Sequence, residues 1–169
     1  MTNKTNVQTR PRALNHTALS IPELRTTFKD RVIAPDDPDY DKARTVVAGG
    51  VDRRPAVIIR VNDADDVARV VSLARETGME LAVRSGGHSS VGHSVTEGGI
   101  ILDLSELRAL EIDPDQRTAW AETGLTAVEY TTRAHKHGLA TTSRFIILNN
   151  FFFLLSVSFC ISFSFFSSL

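Results

Sequence analysis

The chain has 169 residues, enough for one domain with a true core, built of up to two small subdomains, and too few for a large two-domain enzyme. Its 19 Lys and Arg balance 20 Asp and Glu, so no net field is available to hold nucleic acid or an acidic lipid surface. A single cysteine, Cys160, excludes an internal disulfide framework and a cysteine-based zinc site. No apolar run near the N-terminus could form the core of a secretory signal, so a cytoplasmic location is expected.

Residues 1–19 are polar and aperiodic and read as an N-terminal arm. "SIPELRTTFKDRV" follows as a short helix, with Ser20 and Glu23 at capping-box spacing and Pro22 in the first turn. "PDDPDYDKARTVVAGG" reads as a Pro/Asp turn and a brief helix closed by Gly49 and Gly50. "AVIIRV" (56–61) is a buried strand that ends at Asn62, a good N-cap. The next helix places Val67, Val70, Val71 and Ala74 on one face and stops at Gly78. "ELAVR" (80–84) completes a βαβ unit whose two strands are expected to run parallel. "GIILDL" (99–104) is a further buried strand, and "ALEIDP" with "RTAWAETG" forms a hairpin that turns at Asp113, Pro114 and Asp115. A last helix is capped by Thr126 with Glu129 and stops at Gly138. The layout is α+β, a small parallel unit followed by an antiparallel one.

Between the second and third strands, "RSGGHSSVGHS" concentrates glycine, serine and histidine, and five of the ten glycines lie between Gly86 and Gly99. Gly86 and Gly87 directly after a strand permit positive φ and can turn backbone N–H groups toward one point, an arrangement suited to a phosphate. Arg84 and the hydroxyls of Ser85 and Ser89 could add charge and donors. The spacing matches neither the P-loop nor the G-x-G-x-x-G turn, so on local chemistry an anion site and a plain flexible turn both stay open. His88 and His93 have no carboxylate or cysteine cluster beside them, which argues against a metal pair.

"VRSGGHSSVGHSVTEGGIILDLSELRALEIDPDQRTAWAETG", with "DPDYDKAR", "DRRPAVIIRV" and "HGLAT" around it in order, resembles the FAD-binding segment of the berberine-bridge-enzyme type oxidoreductases. These belong to the wider vanillyl-alcohol-oxidase or p-cresol methylhydroxylase (PCMH) superfamily. The resemblance covers residues 20–142 and implies an incomplete PCMH-type FAD-binding domain. It implies that Arg84, Ser85, Gly86, Gly87, His88 and Ser89 wrap the FAD pyrophosphate, with His88 joined covalently to the flavin 8α-methyl carbon. Gly92, His93 and Ser94 would continue the cofactor contact, Pro55 to Val57 would lie near the adenine, and Gly124 would approach the flavin. The implied activity is oxidation of a small organic substrate by hydride transfer to FAD, often with oxygen as acceptor. The family's catalytic residues fall outside the resemblance.

Other residues read as structural. His135 and His137 flank Lys136 in the last turn of a helix, where cations are favoured, and Trp120 and Tyr130 read as core or contact aromatics. Asp103 reads as a residue that orients a strand end.

After "HGLATT" the composition changes: eight of the nine phenylalanines lie between Phe145 and Phe166, and no charged residue follows Arg144. Residues 143–169 are therefore read as an unrelated tail. Its length allows a membrane span over 145–166, which would make the chain a non-catalytic FAD- or nucleotide-binding fragment anchored to a membrane. Four serines, two asparagines and the lack of a flanking cation oppose that reading. An alphabet of Phe, Ser, Leu, Ile, Val, Cys and Asn is also what thymine-rich codons encode, as in translation through an intron or a shifted frame. This second account is the one the composition favours.

Overall fold

Val57, Ile58 and Ile59 are wholly buried, as are Ile100 and Ile101, so these strands have no polar face. Each such side chain removed from water contributes roughly 2–3 kcal/mol. A computed structural model describes residues 19–47, 50–89 and 91–140, and the backbone of 160–164 and 166–167. In chain order the elements are α1 (Ile21–Phe28), β1 (Val32–Ile33), α2 (Tyr40–Arg44), β2 (Val57–Arg60), α3 (Ala64–Thr77), β3 (Leu81–Arg84) and β4 (Ile100–Asp103). They continue with β5 (Leu110–Asp113), β6 (Thr118–Glu122), α4 (Ala127–His135), β7 (Leu139–Ala140), β8 (Cys160–Ser164) and β9 (Phe166–Ser167).

The first sheet has the order β1-β2-β4-β3. β2, β4 and β3 run parallel and β1 is antiparallel to β2. The expected βαβ unit is present, but β4 inserts between its two strands, which pair with β4 and not with each other. Side chains of alternating parity feed two cores. Val57, Ile59, Ile100 and Leu102 pack with Leu24 and Phe28 of α1 and with Val67, Val70 and Ala74 of α3. Ile58, Ala82 and Ile101 pack on the other face with Ile33, Tyr40, Val46 and Val95. The sheet is thus covered by helices on one side and by α2 and the loop after β3 on the other. Val71, expected on the buried face of α3, is 37% exposed, because the contact stripe runs through Val67, Val70, Ala74 and Thr77.

The caps differ from expectation in two places. The Asp63 carboxylate, one residue after Asn62, accepts the Asp66 N–H at 2.7 Å, while Asn62 receives a bond from Arg31. At α1, Ser20 stands at the N-cap but its side chain makes no capping bond, so the expected box with Glu23 is not formed. The Thr126 and Glu129 capping box forms in full at α4. α2 ends at Thr45 in extended backbone, ahead of the expected glycine stop, and Gly49 lies outside the described residues.

The hairpin of β5 and β6 turns over residues 114–117, with the Gln116 N–H donating to the Asp113 carboxylate at 2.9 Å and Arg117 at φ 52°. Ala119, Ala121, Tyr130, Ala134 and Leu139 form a third, smaller core between this hairpin and α4. β8 pairs antiparallel with β6, and β9 with β7. No helix among the described residues is long and apolar enough to cross a membrane, and 145–159 lie outside those residues.

Candidate functional site

Parallel register places three charged residues in one row at the carboxyl ends of adjacent strands. Arg60 of β2 and Arg84 of β3 are both cross-strand neighbours of Asp103 of β4. Their parity matches Ile58, Ala82 and Ile101, so the row lies on the face covered by α2 and the glycine loop. Ligands of parallel sheets are held in this zone, beyond the carboxyl ends of the strands. Arg84 is 7% exposed and Asp103 4% exposed. Arg84 donates to an Asp103 oxygen at 2.7 Å and also to the Ala43 carbonyl at the end of α2. The other Asp103 oxygen accepts the Ser105 N–H at 3.0 Å. The expectation that Asp103 orients a strand end holds, whereas the Arg84 guanidinium is committed within the protein.

The loop after β3 is shaped by its glycines. Gly87 has φ 67° and Gly92 φ 76°, values that only glycine adopts at little steric cost. The Gly87 carbonyl accepts the Val47 N–H at 3.3 Å, tying the loop to the segment after α2. A Cβ on Gly86 would lie 2.6 Å from His88 Cδ2 and 2.8 Å from Nε2, so the absence of a side chain there lets the exposed imidazole fold back over the loop. Ser89 Oγ accepts the His93 N–H at 3.0 Å, and His93 is also exposed. Arg53 closes the far side of the loop, donating to the carbonyls of Gly92 at 3.2 Å and Val95 at 3.0 Å.

Segment 51–55, which precedes β2, is itself fixed. Tyr40 donates to the Pro55 carbonyl at 2.6 Å, and burial raises the Tyr40 phenol above its ordinary value. Arg44 pairs with Asp52 and holds that carboxyl below the usual range.

Arg60, Ser85, Gly86 and Gly87 line a cleft of about 390 Å³ together with Lys42 and Asp39 from the α2 side. Of the residues expected to form the site, Arg84 ends β3, and Ser85 to Ser89 and Gly92 to Ser94 belong to the one loop that follows it. Pro55 and Ala56 precede β2 and Val57 opens it, at the opposite end of that strand from Arg60. Gly124 belongs to another environment. A Cβ on it would sit 2.4 Å from the Leu104 carbonyl oxygen, 2.6 Å from that of Leu107 and 2.7 Å from that of Ser105. The chain's own backbone therefore requires glycine there. Gly124 is connected to the loop only through its neighbour, because Ser85 Oγ donates to the Thr123 carbonyl.

Trp120, expected in a core or contact, is 53% exposed, because β6 turns Ala119 and Ala121 inward and Trp120 outward. Tyr130 is buried as expected. His135 lies in the last turn of α4 and His137 beyond it, both exposed. Sequence reasoning missed Arg60, Lys42 and Arg53. The signal for Arg60 was its place at the end of a buried strand, but only the insertion of β4 between β2 and β3 reveals its neighbours.

The donor set suits an anionic dinucleotide such as FAD. Gly86 and positive-φ Gly87 line the cleft without side chains, cationic side chains flank it, and Ser94 Oγ in the same loop is buried with no hydrogen-bond partner among the described residues. A family model described as "FAD binding domain" matches residues 55–146, more than half of the chain. (R)-6-hydroxynicotine oxidase of Paenarthrobacter nicotinovorans is 35% identical over 117 residues, which are 69% of this chain and 26% of that protein. Berberine bridge enzyme-like 14 of Arabidopsis thaliana is 37% identical over 82 residues, 47% of this chain and 16% of that protein. Among solved structures, 6-hydroxy-D-nicotine oxidase from Arthrobacter nicotinovorans superposes with a TM-score of 0.63 at 38% identity, over 64% of this chain and 24% of that one. The chain thus spans about a quarter of the length of the oxidase relatives it matches. Fold, glycine loop and family match agree: the chain belongs to the FAD-binding-domain family that includes the berberine-bridge-enzyme-like, FAD-linked oxidoreductases, with FAD as its cofactor.

Proposed function

We propose that this chain is the FAD-holding part of an oxidoreductase that oxidises a small organic molecule, and that residues 84–94 form the cofactor loop. The observation that carries this reading is the loop itself: Gly87, at positive φ, lines a cleft with Ser85 and Gly86, and His88 is solvent-exposed and folded over Gly86. When bound, the flavin accepts a hydride from the substrate and passes the electrons on, commonly to oxygen. Backbone amides around Gly86 and Gly87 bind the pyrophosphate, Ser89 holds the His93 end of the loop, and Ser94 supplies a hydroxyl that lacks an internal partner. His88 would be the point of covalent attachment, its imidazole nitrogen taking the place of one hydrogen on the flavin 8α-methyl carbon while that hydrogen's proton leaves to solvent and the electron pair of the C–H bond passes to the flavin ring, to be removed by oxygen. Arg53 braces the loop so that these groups keep their spacing.

The 169 residues alone are proposed to hold FAD weakly and to turn over no substrate, because they match only about a quarter of the oxidase relatives' length. Attachment is tested in a chimera that carries residues 55–140 in place of the matching segment of a full-length FAD-linked relative. Acid-precipitated chimera is expected to retain flavin absorbance, and His88→Ala is expected to lose it while still binding flavin reversibly. Acid-stable flavin in the His88→Ala chimera would rule out His88 as the attachment point.

A further inference from the structure

Arg60, Asp103 and Arg84 are neighbours across three strands, and two guanidiniums share one carboxylate. The row therefore carries one net positive charge. Asp103 is fully engaged, with one oxygen on the Ser105 N–H at 3.0 Å and the other on Arg84 at 2.7 Å. Arg84 also donates to the Ala43 carbonyl. Arg60 stands 3.9 Å from the nearer Asp103 oxygen, outside hydrogen-bond reach, and its Nε is buried with no hydrogen-bond partner among the described residues. The Nε–H thus lacks an acceptor while the rest of the guanidinium remains accessible, so an anion that reaches it gains both a charge and a donor. The Arg60 side chain, 39% exposed, faces the cleft that Arg84, Ser85, Gly86 and Gly87 also line, and of the two arginines Arg84 is 7% exposed with its guanidinium already bonded. Lys42 and Asp39, of opposite charge, also line the cleft.

We infer that Arg60 is the side chain that binds a phosphate oxygen in this cleft, and that Arg84 is a positioning residue. Arg84 pins the root of the glycine loop to Asp103 and to the end of α2. The inference rests on the cofactor reading only in taking a diphosphate as the anion.

The test follows the arginine Nε–H signals in ¹H–¹⁵N spectra of the full chain as inorganic pyrophosphate is added. The Arg60 signal is expected to shift while that of Arg84 stays in place. Arg60→Gln should weaken pyrophosphate binding about tenfold, as expected for one lost charge-assisted hydrogen bond. Arg60→Lys should recover much of the affinity. Arg84→Lys should lower the thermal midpoint, since one ammonium does not reproduce the fork that reaches both Asp103 and Ala43. A shift of Arg84 with Arg60 unmoved, an unchanged titration in Arg60→Gln, or no arginine response at all would overturn the inference. Repeating the titration with FAD separates the two readings. Pyrophosphate binding at Arg60 without an FAD response in the loop defeats the flavin assignment alone, and an FAD response in the loop with Arg60 silent defeats the Arg60 assignment alone.

Discussion

Gly124 and Arg84 show how a residue can satisfy a family pattern for a reason internal to the chain. The resemblance implies that Gly124 keeps clear of a flavin, yet three carbonyl oxygens of the Leu104–Leu107 turn already exclude any side chain there. Its own N–H donates to the Leu107 carbonyl at 2.8 Å, so the backbone cannot easily retreat. Gly124→Ala is therefore expected to destabilise the chain by about 2–3 kcal/mol, the cost of overpacking a rigid contact, read as a lower urea midpoint at unchanged m-value. Stability equal to the parent would show that the turn gives way freely. Arg84 was legible as a charge beside the loop, but its partners were not, because Asp103 lies 19 residues further on and meets it only through sheet register.

Helix α4 shows where local sequence was sufficient. Thr126 Oγ1 accepts the Glu129 N–H at 3.2 Å, and the Glu129 carboxylate accepts the Thr126 N–H at 2.8 Å, as the spacing alone indicates. Thr126→Ala should lower stability by about 1 kcal/mol at neutral pH, measured by denaturant unfolding. The Thr126 N–H and then its hydroxyl, with Arg108 beyond, hold the Glu129 carboxyl below its ordinary value of 4.5. A carboxyl depressed in the folded state stabilises fully above its unfolded value, and this contribution is lost as pH falls through the folded one. Asp37, held down by the Ala34 N–H and Arg25, acts in the same direction. Unfolding free energy should therefore fall as pH drops below about 4.5, and Glu129→Gln should flatten that slope. An unchanged slope would remove Glu129 from the account. The box expected at Ser20 had the same spacing and did not close, since the Ser20 side chain makes no capping bond.

At the scale of the molecule, buried strands, the α3 periodicity and the glycine loop were all readable, since each is a local pattern of burial or backbone freedom. Strand order was not. Nothing in "AVIIRV", "ELAVR" or "GIILDL" says which strand lies in the middle, and the charged row at the site exists only because β4 does. The same step in the chain separated Arg53 from the loop it braces, with Gly92 and Val95 about forty residues away in sequence.

The central claim is that residues 84–94 receive FAD. Its most direct test is the backbone amide spectrum of the 169-residue chain titrated with FAD. The expected result is a weak, reversible response concentrated at Ser85 to Ser89 and Gly92 to Ser94, with no flavin left on the protein after acid precipitation. A spectrum in which those amides stay still while FAD is added, or in which the response lies elsewhere, would contradict it.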